Sequence, residues 1–583
     1  MYKRAAQRQT WSASTDRITI LSIVFFLLTA LIFFKLFKLQ IIDHNLYLKL
    51  AEDQHYALSE LIPERGEVFI HDYQAGEDIH YPVILNKKYY LAYAVPNQIK
   101  NPASYAKLLA SVLEMDEEIL QQRFAKENDI YEPLKHHLDE EEKKEIQSLN
   151  LEGIRFQEEI FRYYPEKNIG SHVLGFVGYD GDELVGRYGI EGFWQKELAG
   201  KKGEYVFERD ASGRLIPIAQ RLKAEEENGA NIVLTLDRSI QFAACSALEA
   251  TVLKHGADDG SVIIMEPTTG AILSMCNYPD FDPNNYGEVE DMSVYNNNAI
   301  FTPYEPGSII KGITMAAALE TGKVTPATTY EDTGSLEISG YTIHNSDGKA
   351  HGIKNMTEVL EESLNTGAIF AARQVGMDLF EKYFKYFGFG KKTGIQLETE
   401  RNGTIKTLSY HHNEIFMATA SFGQGITATP LQIINAFSAI ANKGKLMTPY
   451  IIDEIHYPDG KVKKTEPKFI RQVVTTQTAI TLSAMLASVV KYGHAQKAGV
   501  KGYYIAGKTG TAQVADPETG KYSEDSSIHT FVGFAPVENP RFVMLVKLTH
   551  PRSVEFAASS AAPLFGEIAQ FLLNYLQVPP AYD

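Results

Sequence analysis

Residues 18 to 34, ITILSIVFFLLTALIFF, carry no charge, and nothing else in the chain limits its fold so sharply. At 1.5 Å rise per residue the run spans roughly 26 Å as a helix. Lys35 and Lys38 can snorkel, so Leu36, Phe37 and Leu39 extend the apolar stretch towards a full crossing. A buried core helix is one competing reading, but this run is apolar all round and lies near the N-terminus. A cleaved signal is another, yet KLFKLQ follows where a small-x-small site is needed. The sequence therefore predicts an uncleaved anchor over residues 18–38. Lys3, Arg4, Arg8 and Arg17 against Asp16 put the tail, residues 1–17, on the cytoplasmic side. Everything after residue 40 then faces away from the cytoplasm, and no second span of that length appears.

A chain of 583 residues exceeds one ordinary core, so two or more folded units are expected. With 44% apolar and 22% charged residues the composition is globular. A net charge of −17 argues against a nucleic-acid binder, because neutralising phosphates requires clustered Lys and Arg. Cys245 and Cys276 are too few for a disulfide framework and have no metal-ligand spacing around them. Each reads as a small core residue, with a single bridge between them left open.

Residues 39–228 are mixed and rich in charge, opening on Ile62-Pro63-Glu64-Arg65-Gly66. Residues 104 to 150 are helical in pattern. His136-His137 lies beside the acidic run DEEE, but adjacent histidines point to different sides of a helix, so a solvated charged face is expected there rather than a metal site. After LKAEEENGA the character changes. NIVLTLD reads as a strand, SIQFAACSALEATVLKHG as a helix, and GSVIIMEPTTGAILSMCNYP as a hairpin turning at Pro267–Gly270. Helices fill the middle, and strands return in YYIAGKTGTAQV, SIHTFVGFAP and RFVMLVKL before a last helix. Residues 229–583 are thus predicted to be an α+β domain, one antiparallel sheet flanked by helices.

GYYIAGKTGTAQV, residues 502 to 514, supports two incompatible readings. Gly502-x4-Gly507-Lys508-Thr509 satisfies the pattern of a phosphate-cradling P-loop. A P-loop, however, feeds a helix whose N–H groups face phosphate. Here Tyr503, Tyr504 and Ile505 are strand formers, and TGTAQV continues a strand. Nucleotide triphosphates are also not supplied outside the membrane. The other reading takes Lys508-Thr509-Gly510 as part of a serine-enzyme site.

Tyr304-Glu305-Pro306-Gly307-Ser308-Ile309-Ile310-Lys311 precedes the alanine-rich run GITMAAALETG, a helix with Gly322 as its C-terminal cap. Ser308 falls in the first turn, and Lys311 shares its face. A desolvated lysine is neutral enough to take the serine proton, and the helix N-terminus offers N–H groups to an oxyanion. Alone the pair is weak, since serine often merely caps a helix. Ser363-Leu364-Asn365 follows, and then Lys508-Thr509-Gly510. The order S-x-x-K, S-x-N, K-T-G resembles that of the penicillin-binding proteins. Phe422-Gly423-Gln424-Gly425 with the following ITATPLQIINAFSAIANKGKLMTP extends the resemblance. Arg162-Tyr163-Tyr164-Pro165, HVLGFVG, GIEGFWQKELAG and RDASGR are similar to the pedestal of the monofunctional class B members. A second Lys-Thr-Gly, at 392–394, follows the amphipathic LFEKYFKYF and marks a helix exit, so Lys508 is the copy expected to act.

The resemblance implies an anchored pedestal, residues 39–228, below a β-lactamase-like transpeptidase domain, residues 229–583. It implies that Ser308 attacks the penultimate D-alanine carbonyl of a peptidoglycan stem peptide, and that β-lactams inhibit the reaction. Lys311 is implied as general base, Ser363 as proton shuttle and Asn365 as a hydrogen-bonding partner of the substrate amide. Lys508, Thr509 and Thr511 would hold the substrate carboxylate beside Gly510. The N–H groups of Ser308 and Thr511 would form the oxyanion hole. No metal or organic cofactor is implied. A membrane glycosyltransferase and a division or elongation complex are the partners the class implies, in a bacterial cytoplasmic membrane. A D,D-carboxypeptidase, a β-lactamase, and a non-catalytic scaffold or β-lactam sensor are the competing functions. One departure stands out: after Arg65-Gly66 many relatives carry an Asp-Arg-Asn-Gly-like turn, where this chain has HDYQAGED.

Overall fold

The computed structural model describes residues 13–43, 56–74, 77–126, 129–181, 183–209, 215–410, 413–515 and 522–582. Most of the basic tail, and the turn of RDASGR, lie outside the described residues. The chain divides into two compact units, Met1–Pro63 with Gly200–Asn228, and Glu64–Ala199 with Gly229–Asp583.

In the first unit an α-helix runs over Ala13–Phe37 and widens into a π-helical turn at Lys38–Ile42. Ile18–Ile42 has a mean hydropathy of 2.6 and none of it is buried, which makes it the one candidate membrane span among the described residues. Thr29 donates its hydroxyl to the Phe25 carbonyl at 2.8 Å, so this polar side chain is satisfied within the helix. The unit also holds a three-stranded antiparallel sheet, with Gly203–Arg209 between Tyr56–Leu61 and Leu215–Ala224.

The second unit contains the predicted antiparallel sheet. Its five strands lie in the order Ile272–Tyr278, Asp259–Met265, Phe542–Thr549, Tyr522–Ala535, Ala506–Ala515. Phe542 to Leu548 are all buried, which requires cover on both faces. The helices Arg238–His255 and Ala561–Tyr575 pack on the sheet and on each other, and Pro430–Ala441, buried along its whole length, also packs on it. Cys245 and Cys276 form a disulfide that ties the first of these helices to the edge strand. Gln241 adds a two-way clasp with the Met275 backbone, each bond 3.0 Å. Closing a loop of 31 residues contributes on the order of 3–4 kcal/mol.

NIVLTLD is a strand, as expected, but it does not join that sheet. Asn231–Asp237 pairs in parallel with Val68–Gln74 and antiparallel with Ile452–His456, inside a second, seven-stranded sheet. Residues 104–150 differ more. The helices Pro102–Leu113, Glu117–Phe124 and Glu140–Ser148 are interrupted by the strand Glu132–Leu138, which contains the paired histidines. Glu132, Leu134 and Leu138 turn inward from that strand while the residues between them face out. His136 meets Glu159 at 3.1 Å, and His137 stacks on Phe161 with ring centroids 3.6 Å apart. The two rings diverge, as the sequence implied, but because of a strand and not a helix.

Glu191 is the most heavily committed charge in this unit. It is fully buried and accepts from both Arg65 and Arg162. Burial alone pushes its carboxyl up; Arg162 and Arg65 reverse that and hold it below the ordinary range. Arg162 also donates to the Gly66 carbonyl and to the Asn86 side chain, so one carboxylate locks three backbone segments. Removing one partner of such a cluster leaves buried charge uncompensated, at a cost of about 3–5 kcal/mol. Glu191→Ala should therefore lower the thermal midpoint by several degrees or prevent folding; a melting curve like that of the parent would refute the arrangement. Because the folded pKa is depressed, this stabilisation is present above the unfolded carboxylate pKa and is lost as pH falls through the folded one.

Candidate active site

Ser308 sits in a 3-10 turn, Gly307–Ile310, that runs directly into the α-helix Lys311–Glu320. Residues three apart eclipse in a 3-10 turn, which sets Lys311 under Ser308. The helix is buried from Lys311 to Ala318 and ends at Gly322, whose φ of 66° suits the left-handed cap predicted for it. Ser308 itself is half-buried.

The strand Ala506–Ala515 passes close to this turn. A Cβ on Gly510 would lie 3.0 Å from the Pro306 carbonyl oxygen and 3.3 Å from the Ile309 nitrogen. On the other side, Gly307 has a φ of 60°, and a Cβ there would lie 3.1 Å from the Ala512 Cβ. Backbone thus approaches backbone, which brings Thr511 alongside the segment carrying Ser308. Gly423 closes the same corner by accepting from the Gly307 N–H at 3.2 Å, and Glu305 accepts from the Gly425 N–H at 2.9 Å.

Ser363 lies between the helices Met356–Glu361 and Asn365–Val375 and adopts a left-handed conformation, φ 57°. Two lysines converge on its hydroxyl: Lys311 Nζ at 3.2 Å and Lys508 Nζ at 3.0 Å. Both lysines are only 1% exposed. Burial first, and then the charge of Lys508, hold the Lys311 amine well below its ordinary value. Burial pushes Lys508 down to about 7. Two ammonium groups around one hydroxyl in a dry site repel each other strongly, so one of them is neutral. Lys311, at the positive end of its helix, is the better placed of the two to be that one.

Sequence reasoning missed what holds the second motif. Asn345 Oδ1 accepts from the backbone N–H of Asn365 at 3.0 Å and of Thr366 at 3.2 Å. Asp332 accepts from the Thr366 hydroxyl at 2.6 Å and from the Asn345 amide at 2.9 Å. Burial alone pushes Asp332 up, but donors from Thr366, Gly334, Asn345 and His351 keep it below the ordinary range. Asn365 in turn donates to the His344 carbonyl at 2.8 Å. Nothing in the spacing of these residues marks them, because two short hairpins bring them together. Thr511 accepts from the Ala557 N–H at 3.2 Å, a contact equally invisible in sequence.

The other Lys-Thr-Gly is built differently. Thr393 and Gly394 donate their N–H groups to Glu400, and Lys392 is exposed in a loop. The P-loop reading fails on structure: Lys508 and Thr509 are mid-strand, in register with Val532 and Phe531, and no helix follows. The strand begins at Ala506, three residues later than the aromatic run suggested: Tyr503 lies in a bend, and Tyr504 and Ile505 have no regular structure.

With this geometry in view, comparison with known proteins is direct. The model of the penicillin-binding protein transpeptidase domain matches residues 260–570, and that of the penicillin-binding protein dimerisation domain matches residues 62–234. Stage V sporulation protein D of Bacillus subtilis is 36% identical over 538 residues, covering 91% of this chain and 81% of that protein. Peptidoglycan D,D-transpeptidase FtsI of Buchnera aphidicola is 33% identical over 480 residues, 81% of this chain and 80% of the relative. Penicillin-binding protein 3 of Mycobacterium tuberculosis, solved with aztreonam, superposes with a TM-score of 0.69 at 27% identity over 90% of this chain and 98% of that one. Penicillin-binding protein 2X of Streptococcus thermophilus shares the fold, with a TM-score of 0.75 at 21% identity over 90% of this chain and 80% of that one. A dimerisation region followed by a transpeptidase region defines the class. The chain belongs to the class B penicillin-binding proteins.

The two Lys-Thr-Gly copies give a discriminating test. Losing a charge-assisted hydrogen bond to a bound carboxylate costs on the order of 1.5–3 kcal/mol, or roughly ten- to a hundredfold in rate. Lys508→Ala should slow acylation by a β-lactam by that factor, while Lys392→Ala leaves it nearly unchanged. Equal slowing by both in stopped-flow acylation would reverse the assignment.

Proposed function

We propose that this chain is a serine-type D,D-transpeptidase that cross-links peptidoglycan stem peptides through an acyl-enzyme on Ser308. The observation that carries the reading is the Ser363 hydroxyl shared by two buried lysines, next to the turn of Ser308. Ser308 Oγ attacks the penultimate D-alanine carbonyl and passes its proton to the neutral Lys311 amine. The N–H groups of Ser308 and Thr511 hold the oxyanion. Collapse of the tetrahedral intermediate breaks the amide bond. Ser363 relays a proton to the departing amine, and D-alanine leaves with it. An acceptor amine from a neighbouring strand then attacks the ester, loses a proton by the same route, and frees Ser308.

Lys508, Thr509 and Thr511 hold the terminal carboxylate, whose charge stabilises the ammonium form of Lys508. Gly510 leaves room for the backbone approach, and Asn365 meets the substrate amide. The working assignment of domains is an anchor at 18–38, a pedestal at 39–228 and a transpeptidase domain at 229–583. The positive tail favours the N-terminus inside a bacterial cytoplasmic membrane, and the Cys245–Cys276 disulfide fits a catalytic region in an oxidising compartment. A membrane glycosyltransferase, within a division or elongation complex, would supply the glycan strands.

A fluorescent penicillin should label the folded chain at Ser308, as read by peptide mass spectrometry, and Ser308→Ala should abolish the label. With a thioester donor and a D-amino acid acceptor, aminolysis should compete with hydrolysis. An adduct at another residue refutes the site, and hydrolysis alone refutes transfer in favour of a carboxypeptidase.

The pH profile is a separate check. Lys311 accepts a proton only when neutral, so acylation should fall as pH is lowered through its pKa, with a midpoint well below the ordinary lysine range. A profile that rises only near the normal lysine pKa would remove Lys311 as the base.

A further inference from the structure

Within HDYQAGED, His71 to Gln74 end the strand Val68–Gln74 and Glu77 opens the strand Glu77–Ala94, which pairs with it antiparallel. His71 lies on Val68–Gln74 and His80 on Glu77–Ala94, directly opposite each other in the register. Asp78 stands opposite Tyr73, two positions along and on the same face. His71 Nδ1 lies 2.9 Å from Asp78 Oδ2, and His71 Nε2 lies 3.4 Å from Asp453 Oδ2. Asp453 comes from the strand Ile452–His456. Val233 faces Glu454 and Leu234 faces Ile452, so Asp453 is the unpaired residue of a β-bulge. One ligand atom from each of His71, Asp78 and His80 falls within 4.8 Å of the others.

A solvated charged face does not account for this. The His71 side chain is only 14% exposed, yet its ring nitrogens face two carboxylates, Asp78 across the hairpin and Asp453 from a strand distant in sequence. Two imidazoles and a carboxylate suit zinc and its neighbours, whereas calcium and magnesium take oxygen ligands. Zinc–ligand bonds of about 2.0–2.2 Å place tetrahedral donors roughly 3.3–3.6 Å apart. Asp78 and His80 are exposed, so small side-chain rotations bring the donors to that spacing. A ligating histidine usually donates its second N–H to a carboxylate, and Asp453 stands where that acceptor belongs.

We propose that His71, Asp78 and His80 bind one divalent transition-metal ion of the zinc class, with Asp453 orienting His71. The ion is held by His71 Nδ1, a carboxylate oxygen of Asp78 and a ring nitrogen of His80, with water in the remaining position. Binding displaces the proton between His71 and Asp78 into solvent. The hairpin belongs to the segment matched as the dimerisation domain, and Asp453 to the segment matched as the transpeptidase domain. The ion thus tightens a seam between them, with no part in the acyl transfer.

The test uses the untagged full-length chain in detergent, stripped with chelator and titrated with Co(II) and Zn(II). Both cysteines are in the disulfide, so no thiol competes for the metal. One equivalent of Co(II) should give visible d–d absorption, Zn(II) should displace it, and the thermal midpoint should rise with free zinc. His80→Ala and His71→Ala should abolish the bands, and Asp453→Asn should weaken affinity about 10- to 100-fold. His136→Ala, on a strand distant from the cluster in sequence, should change nothing. His80 is exposed, so its variant folds and decides the matter even if His71→Ala does not. Absence of binding at roughly 100 μM metal, or binding that survives His80→Ala, overturns the proposal.

Discussion

Everything around Ser308 depends on keeping two lysine side chains out of water beside one hydroxyl. An isolated buried ammonium costs several kcal/mol, so the protein must either neutralise it or surround it with acceptors. Here it does both. Lys311 and Lys508 share the Ser363 hydroxyl, Lys311 also donates to the Ser363 carbonyl, and Lys508 donates to that of Thr509 at 3.1 Å. The dryness comes from the fold. The helix starting at Lys311 is buried, the strand carrying Lys508 lies flat against the turn of Ser308, and glycines at 307 and 510 allow that approach. A side chain at either glycine would part the two elements and admit water.

That arrangement also explains why the second motif needs support from afar. Ser363 is held in a left-handed conformation, which costs of order 1 kcal/mol or more for a non-glycine residue. The network from Asp332 through Asn345 to Thr366 and the N–H of Asn365 fixes the start of the helix that follows, and so fixes where the hydroxyl points. Farther away, Glu191 works in the same manner. A buried charge satisfied from several sides locks segments that have little apolar surface of their own to bury.

Much of this was legible in the sequence. Ser308, Lys311, Ser363 and Lys508 could be chosen from order and spacing, because chemistry requires those residue types and turns must deliver them. The five-stranded sheet was legible because its strands fall in two apolar clusters, a hairpin before the helical middle and three runs after it. The strand Glu132–Leu138 was not: its charged, histidine-bearing face resembles the helical run beside it, and its inward set Glu132, Leu134, Leu138 skips His136, so it shows no clean period of two. The pairing of Asn231–Asp237 with Val68–Gln74 was hidden too, since a strand's period reveals its faces and not its neighbour. The disulfide was open for a similar reason, since two cysteines 31 residues apart meet only if a helix folds back on a strand.

The two lysines are chemically alike, and their surroundings make them different. Lys311 is the first residue of its α-helix, where the positive end of the helix dipole disfavours a cation. Lys508 is mid-strand, free of that field. Desolvation lowers both amines, and the mutual repulsion of the two charges adds to it. On the transpeptidase reading, this inequality sets the direction of proton flow. The Ser308 proton goes to the amine that is already neutral, and Lys508 stays a donor, available to a carboxylate. If the positions were electrostatically equal, the proton would divide between them, and neither the base nor the carboxylate anchor would be ready when substrate arrived.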